Sequence, residues 1–158
     1  MKINVESIKE TLGAIKQVDL EFPFADLTIQ GRKVSFVDDI SFVGRAINSE
    51  DEFIVTGTIN SKIEVPCSRC LEEFTSSLEF DFEAEFSRAE IENDELDLEE
   101  SLVDHITLAV PMKTVCDQDC QGLCPSCGIN LNNDDCDCMM HEVDPRLAKL
   151  EKLLDEEE

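Results

Sequence analysis

The stretch EFIVTGTINSKIEVPCSRCLEEFTSSLEFDFEAEF, residues 52–86, alternates apolar and polar side chains on both sides of a short turn that carries two cysteines. A period of two residues is typical of a half-buried β-strand. The apolar positions that define the two runs are Phe53, Val55, Ile59, Ile63, Val65, Phe74, Leu78, Phe80, Phe82, Ala84 and Phe86. We therefore predict a long antiparallel hairpin with the CxxC motif Cys67–Cys70 at its tip.

Shorter strand-like runs precede this hairpin at residues 18–24, 33–37 and 40–47, and residues 6–12 read as a short helix that ends at Gly13. After the hairpin, apolar side chains recur at helical spacing from Leu98 to Ala109, with Asp97 as a cap and Pro111 as a stop. A last helix is expected to begin at Asp144–Pro145.

These elements predict an α+β protein of two parts. Residues 1–96 are expected to form an antiparallel, barrel-like β-sheet that carries the CxxC hairpin. Residues 97–158 are expected to add a helix, a cysteine-rich zinc-binding segment and a C-terminal helix packed on it.

The charge of the chain limits its partners. With 13 Lys and Arg against 37 Asp and Glu, the formal net charge is -24 over 158 residues. Such a chain is not expected to hold nucleic acid by neutralising phosphates, and a basic partner is favoured. Neither a signal peptide nor a membrane span is expected, so we predict a cytoplasmic protein in which thiols stay reduced.

Clustered cysteines in a reducing compartment indicate metal binding more often than disulfides. The spacing predicts one site formed by Cys124, Cys127, Cys136 and Cys138. The remaining thiols, those of Cys67, Cys70, Cys116 and Cys120, would form a second site that fastens the C-terminal segment to the sheet. We expect two zinc ions per chain.

Spacing alone leaves other ligand assignments open. One zinc with four spare thiols is possible, as is a crossed pairing of Cys67 and Cys70 with Cys124 and Cys127. His141 could replace a cysteine, while His105 is expected on a helix. Four nearby aspartates could supply oxygen ligands but are more typical of solvated loop residues: Asp117, Asp119, Asp134 and Asp135.

Two enzymatic interpretations arise from the same cysteines, and we disfavour both. Cys120, Cys124 and Cys127 have the CxxxCxxC spacing of iron–sulfur radical enzymes, but no barrel repeat precedes them. The CxxC at Cys67 could be a redox dithiol, yet a hairpin lacks the helix N-terminus that would lower a thiol pKa. No catalytic or cofactor-binding set stands out elsewhere, and we predict a protein that is not an enzyme.

Several short motifs occur together in this chain and in one known family. They are CSRCLE at residues 67–72, LAVPMK at 108–113, CQGLCPSCGINLN at 120–132 and DPRL at 144–147. In this combination and order the chain resembles the YceD family. Members of that family are bacterial and plastid proteins associated with accumulation of large-subunit ribosomal RNA, so the resemblance implies a role in ribosome biogenesis.

The charge and the resemblance together suggest how the chain acts. We expect it to bind a basic ribosomal protein or assembly factor on a large-subunit precursor, because RNA phosphates would repel its surface. A zinc-dependent RNA-binding protein is the alternative, with a small basic patch at Lys62, Arg69 and Lys113. A generic zinc-stabilised interaction module is a third possibility.

Overall fold

The fold is described from a computed structural model over residues 1–91 and 93–138, without the side chain of Glu90. Eight strands and one α-helix are present in that part of the chain. In chain order they are β1 (Lys2–Asn4), β2 (Ile15–Phe22), β3 (Leu27–Ile29), β4 (Arg32–Phe36), β5 (Ile40–Asn48), β6 (Glu52–Pro66), β7 (Glu73–Ser87), β8 (Glu95–Asp97) and α1 (Glu99–Ala109). A single 3-10 turn, Arg88–Glu90, follows β7.

The predicted hairpin is confirmed as the longest feature of the fold. Strands β6 and β7 are each 15 residues long and pair from Glu52 opposite Ser87 to Pro66 opposite Glu73. One face of each strand enters the core, where Phe53, Ile59 and Phe82 are fully buried. The opposite face of β7 carries its acidic side chains, so the alternating sequence separates core from solvent as the period of two requires.

The sheet is antiparallel and open. Strand β5 pairs with the first part of β6, β2 pairs with β5, and β4 pairs with β6 near its end, with β3 beside β4. Only β2, β5, β6 and β7 contain eight or more residues, and within residues 1–91 and 93–138 the sheet is not closed into a barrel. The barrel-like expectation is therefore wrong, because β2 and β3, at the two ends of the strand order, do not pair with each other.

Helix α1 was predicted from its apolar spacing, and the structure confirms it. Leu98, Leu102 and Ile106 are completely buried. The ring of His105 lies 4.8 Å from that of Phe82, centroid to centroid, so this histidine packs against the sheet. The Asp97 carboxylate accepts a hydrogen bond of 3.0 Å from the Glu99 N–H, which satisfies one of the free donors at the start of the helix.

The helix expected at residues 6–12 is absent, and this prediction is wrong. The residues form a series of turns. Several of their carbonyls accept hydrogen bonds from the Asn48 side chain, where a helix would use backbone N–H groups four residues along. The buried Asn48 side-chain amide donates to the carbonyls of Ile8, Lys9 and Thr11 at 2.7–3.0 Å. Arg88 then donates to the Asn48 side-chain oxygen at 2.6 Å, so a polar clamp fixes the N-terminal turns.

The chain divides into two compact units. The first comprises residues 1–68 and 72–116, and the second comprises residues 69–71 and 117–158. The domain boundary predicted between residues 96 and 97 remains a prediction. The expected C-terminal helix from Asp144 lies outside the described residues. Among the described residues, no helix has the length and apolar character needed to cross a membrane.

Candidate metal centres

The segment around Cys124–Gly128 forms a tight turn. The Gly128 N–H donates to the Cys124 carbonyl at 2.9 Å, and the Cys124 N–H donates to the Ile129 carbonyl at 2.8 Å. Gly128 adopts φ 77°, a left-handed conformation that glycine reaches without strain. The turn therefore brings the thiols of Cys124 and Cys127 to one side of a rigid loop.

The loop between the two cysteine pairs of this segment is held by asparagine side chains. The Asn130 side-chain oxygen accepts from the Asn132 N–H at 3.0 Å, and its backbone carbonyl accepts from the N–H groups of Asn133 and Asp134 at 3.1 Å. Asn132 in turn accepts from the Gln121 N–H at 2.8 Å. These turns lead the chain back to Cys136, because Asn side chains replace the hydrogen bonds that a sheet or helix would supply.

Four sulfur atoms converge in this loop. Those of Cys124, Cys127, Cys136 and Cys138 all lie within 4.8 Å of one another. A tetrahedral zinc with bonds of about 2.3 Å separates its sulfur ligands by roughly 3.8 Å. A small contraction of the group would reach that separation, so both the donor chemistry and the spacing fit zinc. We name these four residues the knob cluster.

Hydrogen bonds within the knob cluster make its thiols unequal. Backbone N–H groups of Cys127 and Ser126 donate to the Cys124 sulfur and lower the pKa of that thiol to about 6. The hydrogen bond with Cys127, together with burial and the other sulfurs, raises the pKa of Cys138 to about 12. The lowered pKa favours the thiolate form of Cys124, whereas Cys138 must release a proton when a metal binds.

A second group of four sulfurs consists of Cys67, Cys70, Cys116 and Cys120, which we name the hairpin cluster. These atoms also lie within 4.8 Å of one another. Cys67, Cys70 and Cys120 are buried, whereas Cys116 is exposed. The same comparison with a sulfur tetrahedron applies, so this group also fits zinc.

Backbone contacts hold the residues that flank Cys67 in place. The Cys67 N–H donates to the Glu72 carbonyl at 2.8 Å, which closes the hairpin turn. The Ser68 N–H donates to the Thr114 carbonyl at 2.7 Å, and the Thr114 hydroxyl donates to the Pro66 carbonyl at 2.7 Å. In the second unit the Asn132 amide donates to the Cys120 sulfur at 3.4 Å, an outer contact that orients this thiol.

The groupings bear on the alternatives raised by the sequence, although the ligand assignment itself stays a prediction. The structure brings together the two sets of cysteines that the spacing predicted and does not assemble the crossed pairing. Cys120 belongs to one group and Cys124 and Cys127 to the other, so the CxxxCxxC cysteines do not form one of the groups. Within the described residues, both candidate clusters consist of cysteines alone, and Asp117 instead accepts from the Asp119 N–H at 2.8 Å. His141 is outside the described residues.

The sequence did not predict the contacts of Arg69. One terminal nitrogen of its guanidinium donates to the carbonyls of Gln118 and Cys120 at 3.0 and 2.9 Å. Its own carbonyl accepts from the Leu123 N–H at 3.1 Å. An arginine inside a CxxC motif was the only signal in the sequence, and it suggested an RNA contact. The structure instead gives Arg69 a positioning role beside Cys120.

The comparisons with known proteins agree with the motif resemblance. The sequence model of the family described as "Large ribosomal RNA subunit accumulation protein YceD" matches residues 85–154. A chloroplast protein of Arabidopsis thaliana named as a YCED homolog is 36% identical over 59 residues, which cover 37% of this chain and 18% of the relative. The recognition of the YceD family from sequence is therefore confirmed for this part of the chain.

Longer matches occur with bacterial proteins that are described as uncharacterised. Proteins of Mycobacterium bovis and Mycobacterium tuberculosis are each 32% identical over 116 residues, covering 64% of this chain and 55% of the relative. The chain thus spans about half the length of the curated relatives it matches. No solved structure matches it.

Proposed function

We propose that this chain, whose residues 85–154 match the YceD family, is a non-enzymatic, cytoplasmic zinc-binding factor that supports accumulation of large-subunit ribosomal RNA through a basic protein partner. The family match supports the process. The observation that carries the molecular proposal is the convergence of eight cysteine sulfurs into two groups of four. The acidic composition of the chain supports the type of partner.

Both zinc ions are proposed to be structural. Four thiolates complete the coordination that zinc adopts in structural sites, which leaves no position for a substrate. The ligands would be Cys124, Cys127, Cys136 and Cys138 in the knob cluster, and Cys67, Cys70, Cys116 and Cys120 in the hairpin cluster. The metal would then hold the loops in place, and the surrounding surface would do the binding.

The contacts of the basic residues favour a protein partner over RNA. Two of the three cations considered for an RNA-binding patch already have acceptors within the chain. Arg69 donates to backbone carbonyls, and the Lys62 ammonium lies 3.2 Å from the Asp38 carboxylate. A surface with a formal net charge of -24 repels phosphate and attracts basic proteins, so association with a basic partner is expected to weaken as salt increases.

Metal analysis tests the zinc proposal. Protein purified without added zinc is expected to contain two zinc ions per chain. Cys124→Ser and Cys67→Ser are each expected to retain about one, with Ser126→Ala as a control that keeps two. Iron with visible absorbance, or one zinc in the wild type, would contradict the proposal.

Depletion and co-sedimentation test the biological role. Loss of the protein is expected to lower mature large-subunit RNA, and tagged protein is expected to sediment with large-subunit precursors at low salt. Purified protein is not expected to shift naked ribosomal RNA at physiological salt. Tight binding to naked RNA would favour the RNA-binding alternative, and absence from precursors would leave only a general zinc-stabilised interaction module.

A further inference from the structure

Three isoleucines form a row on the face of the sheet that is turned away from the core. Ile15 of β2 pairs with Ile47 of β5, and Ile47 pairs with Ile54 of β6. Side chains at directly paired positions are about 5 Å apart at their Cβ atoms, so the three residues are contiguous. We name them the isoleucine row. None of the three belongs to the buried core cluster.

The isoleucine row is exposed at one end and half-buried at Ile47 and Ile54. Ile15 is 54% exposed, and the neighbouring Leu12 is 62% exposed. Leu12, Ile47 and Ile54 line one shallow surface pocket together with the backbone turn at Gly13. Isolated exposed apolar residues are common, but a contiguous group beside a pocket is typical of an interaction surface.

Acidic side chains lie on two sides of the isoleucine row, along β7 and at the turn before β6, where the Arg88 guanidinium also donates to the Ser49 and Glu50 carbonyls. Glu85 is paired directly with Ile54, and Glu83 follows in the next outward-facing pair along β7. Glu50, Asp51 and Glu52 occupy the nearby turn and the start of β6. On the adjacent row, Arg45 is a cation whose Nε donates to the Thr56 hydroxyl at 3.4 Å. The surface therefore combines an apolar centre with a negative rim.

We propose that the isoleucine row and Leu12 form the docking surface for a basic segment of a partner protein, with apolar side chains against the row and Lys or Arg against the acidic rim. This proposal rests on the basic protein partner inferred above and locates the contact. An anionic membrane, a nucleic acid or a second copy of this chain would each bring negative charge towards Glu83 and Glu85. A basic protein segment alone complements both properties of the surface.

The test uses the full chain and two synthetic 16-residue peptides of equal lysine content, one alternating Lys with Leu and the other Lys with Ser. Fluorescence anisotropy measures the dissociation constants. The wild type is expected to bind the Lys–Leu peptide at least tenfold more tightly than the Lys–Ser peptide. The triple variant Ile15→Thr, Ile47→Thr, Ile54→Thr is expected to lose this preference, because Thr keeps the strand-favouring branched carbon but removes most of the apolar contact.

Two control variants separate the contributions. Val43→Thr changes a residue of the same face that is 54% exposed and lies outside the row, so it is expected to keep the peptide preference. Glu83→Gln with Glu85→Gln is expected to weaken binding of both peptides about equally, since it removes charge from the rim alone. Equal binding of the Lys–Leu peptide by the wild type and the folded triple variant would overturn the proposal. A wild-type dimer that the triple variant dissociates would also overturn it, by identifying a second copy as the occupant.

Co-sedimentation with large-subunit precursors distinguishes this proposal from the proposed function. The triple variant is expected to lose most of its association at low salt, while Val43→Thr retains it. If the wild type and the triple variant both sediment with precursors, the docking surface is wrong and the proposed function stands. If the wild type itself fails to sediment, the proposed function fails whatever the peptides show.

Discussion

The interior of each of the two units is different, and so is the interaction that can stabilise it. The buried core cluster lies wholly in the first unit, where strands β2, β5, β6 and β7 and helix α1 contribute large apolar side chains. In the described part of the second unit, the buried side chains are those of Cys70, Cys120 and Cys124. Apolar burial can stabilise the first unit directly, whereas residues 69–71 and 117–138 of the second bury little except their sulfurs. We therefore expect the proposed zinc to take the place of an apolar core in that part of the chain.

Removal of metal is expected to have the largest effect. Treatment with a strong zinc chelator should abolish amide protection in residues 117–138, because structural zinc in small domains is worth about 10–16 kcal/mol in apparent binding free energy. Amides of β5 and β6 should stay protected, as their ladder and core persist. Hydrogen exchange followed by mass spectrometry measures both regions. If the amides of the whole sheet lost protection at the same rate, the two units would not be stabilised independently.

A core truncation is expected to produce the opposite pattern. Phe82 is fully buried and its ring lies 5.8 Å from that of Phe42, so Phe82→Ala should destabilise the first unit by about 3–5 kcal/mol. Denaturant unfolding measures this loss, and zinc content at low denaturant should be unchanged. Val43→Ala, on the exposed face of β5, is the control and should cost far less. A loss of zinc in folded Phe82→Ala protein would show that the units do not depend on separate forces.

The polar clamp at Asn48 is expected to have an intermediate effect. Asn48→Ala removes one donor from three carbonyls and one acceptor from Arg88, all of which keep weaker or longer contacts, so it should cost about 1–3 kcal/mol of unfolding free energy. Asn60→Ala, at an exposed position of β6, is the matched control and should be near neutral. Exchange of the amides in residues 8–14 is expected to rise first. If those amides stay protected, packing and not the clamp holds the turns.

The smallest effect concerns the two CxxC turns themselves. The residue after the second cysteine has positive φ in both, 63° at Leu71 and 77° at Gly128. Leu71 is 65% exposed, so its side chain gains little packing for a conformation that costs a non-glycine residue about 1–2 kcal/mol. Leu71→Gly is expected to stabilise the hairpin cluster by about 1 kcal/mol, and Gly128→Ala to destabilise the knob cluster by a similar amount.

Zinc competition against a coloured chelator measures these two changes as shifts of several-fold in apparent affinity. A Cβ on Gly128 would meet nothing within 4 Å, so backbone strain alone accounts for the expected loss. Weaker zinc binding in Leu71→Gly would indicate that the leucine side chain supports the hairpin cluster.

The sequence predicted secondary structure correctly where the spacing of apolar side chains is typical of a single element, strand or helix. The alternation in residues 52–86 and the helical spacing around Leu102 both led to the observed elements. Periodicity identifies faces but not neighbours, so it could not show that the sheet stays open. The strands β1, β3 and β8 have three residues each, too few for any period to appear.

Contacts between distant polar groups account for the other failures. The turns at residues 6–12 depend on Asn48 and Arg88, which lie far away in sequence and resemble ordinary strand-end residues there. For the clusters, spacing predicted the two groups of cysteines but could not exclude a crossed pairing. The contacts of Arg69 could not be predicted from the sequence. Its acceptors at Gln118 and Cys120 are backbone carbonyls, which every residue has.

The paired register of β6 and β7 also constrains which changes in length the chain can accept. Cys67 follows directly after Pro66, the last residue of a ladder that begins at Glu52. Deleting one residue from either strand would move its core side chains beyond the deletion to the solvent face. The cysteines of the turn would then also face the opposite side of the sheet. Only balanced changes, two residues removed from each strand at paired positions, would keep both the faces and the turn. Insertions and deletions in relatives with this hairpin should therefore occur in matched pairs or lie outside residues 52–87.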